Sequence, residues 1–182
     1  MPTSTAARLH TRAEHPLDAE FVRALFDDTH SGELHVAGLA PAALQQLLDI
    51  QFRGQSIQYT AAHPTATGTV VELDGDAVGR ALVDRRTPDM LVVDLAVLSE
   101  HRRRGAASEL LRELADEADT GGRELRLRVR TGNAPARALY ERFGFVATGE
   151  RDGDVLLSRP PAAASATREV SEVSAASAGA TG

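Results

Sequence analysis

The sequence predicts an α/β fold, and three observations carry that prediction. Residues 90–97 form an almost uninterrupted apolar run, as expected of a strand covered on both faces. After a short basic loop, Ala107, Leu110, Leu111, Leu114, Ala115 and Ala118 recur at helical spacing. Leu125, Leu127 and Val129 then alternate with Arg126, Arg128 and Arg130, giving a strand with one apolar and one charged face. Strand, helix and strand in that order are the pattern of a sheet with crossover helices.

The remaining elements follow from the same rules. Phe21, Val22, Leu25 and Phe26 make residues 18–28 a short amphipathic helix. A second helix follows Gly38, with Pro41 suited to its first turn and Leu44, Leu47, Leu48 and Phe52 as its apolar stripe. Residues 69–73 and 77–83 flank Asp74-Gly75, whose tolerance of positive φ signals a hairpin. Gly121-Gly122 ends the long helix. Asn133 caps a last helix with Pro135 just inside it, which stops near Gly144, and residues 145–149 and 154–157 read as closing strands.

A chain of 182 residues allows one domain and a tail. Residues 1–159 are expected to form that domain. From Pro160 to Gly182 the composition turns to Pro, Ala, Ser, Thr and Gly, too poor in apolar surface to offset its ordering entropy, so a disordered tail is expected.

Composition removes several chemistries. All 20 basic residues are Arg, so lysine nucleophiles, Schiff bases and Walker-A lysines are excluded. With no Cys there is no thiolate chemistry and no Cys-based metal site, and the six His lack metal-ligand spacing; no metal is expected. Net charge of −6 and 4% aromatic content argue against nucleic acid as a partner. No run approaches the length of a membrane span and no signal-like segment opens the chain, so the expected location is cytoplasmic.

The chemistry-bearing segment is the junction of the central strand and the long helix, Arg102, Arg103, Arg104, Gly105, Ala106, Ala107 and Ser108. Open helix N-terminal amides, a glycine that lets backbone approach a ligand, and three guanidinium groups suit a pyrophosphate. Taken alone, an Arg run is more often a solvated face. Its context is more specific. Arg102-x-x-Gly105-x-Ala107 resembles the R/Q-x-x-G-x-G/A loop of the GNAT superfamily of acyl-CoA-dependent N-acyltransferases, and Leu95, Ala96 and Val97 look like the pantetheine-binding end of its central strand. Downstream, residues 133–145 are similar to the superfamily's N-x-x-A-x-x-L-Y-x-x-x-G-F motif.

The resemblance implies a mixed sheet splayed between its central strands, with acetyl-CoA as co-substrate and direct attack of an amine on the thioester. It implies Tyr140 as general acid and a CoA contact at Asn133, beside the plain readings of a tyrosine packed near Phe143 and a helix cap. Some relatives that acetylate ribosomal-protein N-termini carry a Glu on the strand before the Asn motif, where this chain has Arg128. Asp94 is then the substitute base on the central strand, with a water relay to Glu33, Glu72 or solvent as an alternative and burial against an Arg as the structural one. Arg126, Arg128 and Arg130 are read either as binding an acidic acceptor or as pairing with neighbouring carboxylates. His35, Gln51, Gln55, Gln58 and Tyr59 fall in the half that shapes the acceptor pocket in such enzymes. The expected acceptor is a small-molecule amine or a protein N-terminal amine, and a homodimer is allowed. The rival readings are a catalytically degenerate CoA-binding or protein-interaction module, and an unrelated α/β domain with a surface Arg loop.

Overall fold

The computed structural model describes residues 8–35, 39–86 and 88–162. Gly38 and the expected tail from residue 163 onward lie outside these, as do the side chains of Glu33 and His35. The elements are β1 (Leu9–Ala13), α1 (Ala19–His35), α2 (Pro41–Ala62), β2 (Thr67–Leu73), β3 (Asp76–Asp84), β4 (Met90–Val97), α3 (Ala106–Thr120), β5 (Leu125–Arg130), α4 (Ala134–Arg142), β6 (Val146–Arg151) and β7 (Asp154–Arg159), with 3-10 turns at Pro16–Asp18 and Ser99–His101. The strands form one seven-stranded sheet in the order β1-β2-β3-β4-β5-β7-β6. It is mixed: β1–β2, β2–β3, β5–β7 and β6–β7 are antiparallel, whereas the Met90 N–H donates to the Glu124 carbonyl at 2.8 Å, start to start, as strands joined by a crossover helix require. The described residues fall into two compact units, one drawn from Met1–Arg85 and Val92–Leu111, the other from Arg86–Leu91 and Arg112–Gly182.

In the first unit the expected hairpin turns at Asp74 (φ 56°) and Gly75 (φ 101°). Two residues with positive φ match the right-handed twist of the strands they join. β1, which the sequence does not signal, pairs along β2 from Leu9↔Leu73 to Ala13↔Thr69. Arg12 fixes its end. The guanidinium donates to Asp18 Oδ1 and Oδ2 at 2.8 and 2.7 Å and to Glu72 Oε1 at 2.6 Å, while the His15 amide gives Asp18 a third bond at 2.7 Å. With that set of donors Asp18, though buried, is held down to about 2.

α1 runs past the expected end at residue 28; the Thr29 hydroxyl bonds back to the Leu25 and Phe26 carbonyls at 2.9 and 3.1 Å and so keeps its polar group satisfied inside the helix. Leu25, Phe26 and Leu48 form the buried seam with α2. Phe26 stacks on His30 at 3.9 Å and meets Phe52 edge-on at 5.2 Å. Each such apolar side chain contributes roughly 2 kcal/mol when fully buried.

In the second unit the apolar side of β5 (Leu125, Leu127, Val129) is buried with Val155 and Leu157 of β7 and with Leu114, Ala115 and Ala118 of α3, confirming the helical stripe and the alternation. α3 ends as its glycines predict. The Arg123 amide reaches the Ala118 carbonyl and the Gly122 amide that of Asp119, with Gly122 at φ 60°. Arg159 then grips Asp119 through two bonds at 2.8 and 2.7 Å and donates Nε to the Phe143 carbonyl at 2.9 Å, tying β7 to the end of α3 and the turn after α4. The edge strand β6 is exposed throughout and shifts register between Ala147 and Gly149.

Candidate active site

The strand–loop–helix junction lies in the first unit. β4 ends at Val97, and the Leu98 amide still bonds across to the Val78 carbonyl at 2.9 Å. A 3-10 turn follows, tethered to α1 because Asp28 accepts both the Ser99 amide (2.7 Å) and the Ser99 hydroxyl (2.6 Å). Arg102 folds back so that its Nε donates to the Val97 carbonyl at 3.3 Å. Arg103 (φ 64°) and Gly105 (φ 94°) turn the chain sharply around Arg104, and all four residues from Arg102 to Gly105 are exposed. A non-glycine residue in the left-handed region costs energy and is held there by its surroundings. A Cβ on Gly105 would stand 3.3 Å from Leu9 Cδ1, so β1 closes the inner side of the loop.

The first intrahelical bond of α3 runs from the Glu109 amide to the Gly105 carbonyl at 2.9 Å. The amides of Ala106, Ala107 and Ser108 precede it and have no intrahelical acceptor, so they open at the positive end of the helix dipole. This arrangement suits a diphosphate: amides without an intrahelical acceptor, a glycine turn and the exposed Arg103 and Arg104 lie within a few residues of one helix start. The Ala106 side chain is buried, so it packs inward rather than lining the opening.

Asp94 stands on β4 in the same unit, partly buried. Burial raises its carboxyl above the usual carboxylate range, against the opposing pull of Arg80, His30 and the Leu95 amide. Tyr59 of α2 is pushed up to about 12, first by burial and then by the Asp94 charge. Arg80, on the neighbouring strand, donates Nε to Glu14 Oε2 at 2.6 Å. A lone Arg inside the apolar stretch 77–83 was the available signal for this group, and sequence reasoning passed over it. Glu72, the alternative relay, is committed to Arg12.

In the second unit, Asn133 caps α4 as expected, its Oδ1 accepting the Ala136 amide at 3.2 Å. Tyr140 is buried on the same helix. Its ring meets Phe145 edge-on at 5.8 Å. The Tyr140 carbonyl accepts from the Phe143 and Phe145 amides at 2.9 and 3.2 Å, which sets the turn after the helix. Of the three arginines on β5, Arg126 is held by Asp89 at 3.0 Å and Glu124 at 2.9 Å, as the carboxylate-pairing reading expects. Arg128 and Arg130 share its exposed face.

These features define a class, and comparison with known proteins identifies it. The family model for the acetyltransferase (GNAT) family matches residues 38–145, and the chain belongs to that family. Among curated proteins it is 34% identical over 95 residues to the L-amino acid N-acetyltransferase AaaT of Escherichia coli, across 49% of this chain and 59% of that protein. It is 45% identical over 56 residues to an N-alpha-acetyltransferase of Saccharolobus solfataricus, across 30% of this chain and 34% of that protein. The chain thus spans less than two thirds of the length of these relatives. The fold is shared with the crystal structure of PaiA N-acetyltransferase from Thermoplasma acidophilum in complex with coenzyme A (TM-score 0.66, 14% identity, covering 84% of this chain and 99% of that one). Among the described residues, no helix is long and apolar enough to cross a membrane.

Proposed function

We propose that the protein is an N-acetyltransferase that moves the acetyl group of acetyl-CoA to a primary amine by direct attack. The observation that carries this reading is the α3 start, where positive φ at Arg103 and Gly105 bends the loop around three amides left open for a diphosphate. Arg102, Arg103 and Arg104 add charge to that seat, and the family resemblance assigns the backbone of Leu95, Ala96 and Val97 and the side chain of Asn133 to the rest of the carrier. Family membership and the printed activities of the two curated relatives support the reaction class.

Acetyl-CoA supplies an acyl group activated as a thioester. The neutral amine forms a C–N bond to the acyl carbon as the C–S bond breaks. Asp94 takes the proton that leaves the nitrogen, and the Tyr140 phenol gives a proton to the departing sulfur. A raised proton affinity suits Asp94 to that role, because a base works best when its pKa approaches the working pH. The acceptor is a small-molecule amine or a protein N-terminal amine.

Calorimetry of the full chain with acetyl-CoA is the first test, and saturable heat is expected. Thiol release on adding a panel of amines is the second. Absence of saturation overturns the reading at its root, while saturation without acceptor-dependent thiol release favours a module that binds the carrier without turnover.

A further inference from the structure

Asp27 and Asp28 are adjacent on α1 and hold different things. Asp27 accepts from Arg23 Nε at 3.0 Å, one turn earlier on the same helix. Asp28 reaches out of the helix instead: its Oδ2 accepts the Ser99 amide at 2.7 Å and its Oδ1 the Ser99 hydroxyl at 2.6 Å, across 71 positions of sequence. Ser99 is where the chain leaves the sheet. β4 ends at Val97, and the Leu98 amide is still held by the Val78 carbonyl at 2.9 Å. From Ser99 the chain passes through the 3-10 turn, closed by the Arg102 amide on the Ser99 carbonyl at 3.3 Å, and enters the left-handed residues Arg103 and Gly105.

The far end of this loop is fixed by α3, through the Glu109 amide on the Gly105 carbonyl at 2.9 Å. Asp28 fixes the near end. Ser99 is exposed, so water would serve its amide and hydroxyl equally well; what a carboxylate from another element adds is a fixed position. The loop needs one, because a non-glycine residue at φ 64° such as Arg103 keeps that conformation only when its surroundings impose it.

We propose that Asp28 is a positioning residue for carrier binding: by clasping Ser99 it holds residues 102–105 in the shape that receives the diphosphate of acetyl-CoA. This rests on the reading of the α3 start as the diphosphate seat. Charge alone argues the opposite way. A carboxylate bonded just ahead of Arg102 repels a diphosphate through space, so deleting it for its charge would tighten binding, whereas deleting it as a clasp would loosen binding. The two effects separate chemically. In Asp28→Asn the side-chain oxygen can accept the Ser99 N–H while the side-chain nitrogen donates to the Ser99 hydroxyl oxygen, so the clasp outlives the charge. Asp28→Ala removes both.

The test is calorimetry of acetyl-CoA binding to the full chain, wild type against three variants. Asp28→Ala is expected to raise Kd about tenfold, as when the seating shape is populated about a tenth of the time. Asp28→Asn is expected to bind at least as tightly as wild type. Ser99→Ala keeps the amide bond, loses the hydroxyl one, and should raise Kd by a smaller factor. An unchanged or lower Kd in folded Asp28→Ala overturns the proposal, and so does a Kd raised equally in Asp28→Asn. Should Asp28→Ala not fold, an unchanged Kd in Ser99→Ala overturns it instead. Failure of the carrier reading looks different: wild type itself would then show no saturable heat.

Discussion

Two aspartates in the first unit, Asp18 beyond the end of β1 and Asp94 within β4, are both withdrawn from water, and burial pushes both upward, yet their proton affinities end on opposite sides of the ordinary value. Asp18 is met by the Arg12 fork and the His15 amide, and its proton affinity falls. Asp94 receives one backbone amide and the more distant charges of Arg80 and His30, and its affinity rises. Desolvation acts on each; the count of donors at bonding distance decides the sign. A carboxylate whose lone pairs are all engaged is a structural tie, whereas one left short of donors is ready to take a proton. The distinction lies in the second residue each acid meets, not in the acid itself.

The comparison is sharpened most by Asp94→Asn. Removing a general base lowers turnover by roughly 100-fold or more, and steady-state assay against a responsive amine checks it. The same change removes a charge that burial disfavours, so the melting temperature at neutral pH is expected to rise; a fall would mean that Asp94 is a tie after all. Asp18→Ala should behave in the opposite way. It leaves Arg12 without its main partner and is expected to cost about 3 kcal/mol in denaturant unfolding, with the acid limb of kcat/KM unmoved.

The pH dependence of stability separates the pair further. Because the folded value of Asp18 lies below its unfolded one, its contribution is present in full above about pH 4 and is lost as the pH falls toward about 2. That contribution is about 2 kcal/mol. Acid unfolding of wild type and Asp18→Asn should therefore converge below pH 2, and curves that stay apart would contradict the linkage. Tyr140→Phe is expected to slow acyl transfer by roughly tenfold or more while leaving acetyl-CoA affinity nearly intact. The smallest effect belongs to Arg128→Ala, which should raise KM only for acceptors that carry a carboxylate; equal KM values for acidic and neutral amines would leave β5 without a part in acceptor choice.

Much of this molecule was legible in the sequence wherever the signal was local. The α3 stripe, the Asp74-Gly75 turn, the Gly121-Gly122 stop and the Asn133 cap each depend on residues a few positions apart, and each stands where it was expected. The loop proposed to seat a diphosphate is equally local, since one strand end and one helix start are contiguous in the chain. β1 was not legible, because Leu9–Ala13 is short and carries weak alternation, and only pairing with β2 makes it a strand. The surroundings of Asp94 were missed for a related reason. His30, Tyr59, Arg80 and Glu14 come from four separate stretches, and nothing in their spacing announces that folding gathers them. The Tyr140–Phe145 ring contact was not legible either, because it depends on Gly144 (φ 82°) turning the chain after α4.

The register shift in β6 has a bearing on how the molecule fares in a crowded solution. That strand is the outer margin of the sheet, where unpaired peptide groups invite a neighbour's backbone to add on. An offset between Ala147 and Gly149, followed by Glu150 and Arg151, breaks the even spacing an incoming strand would need. The margin is left open to water and closed to growth, so that aggregation by strand addition is discouraged at the one side of the second unit where it would otherwise begin.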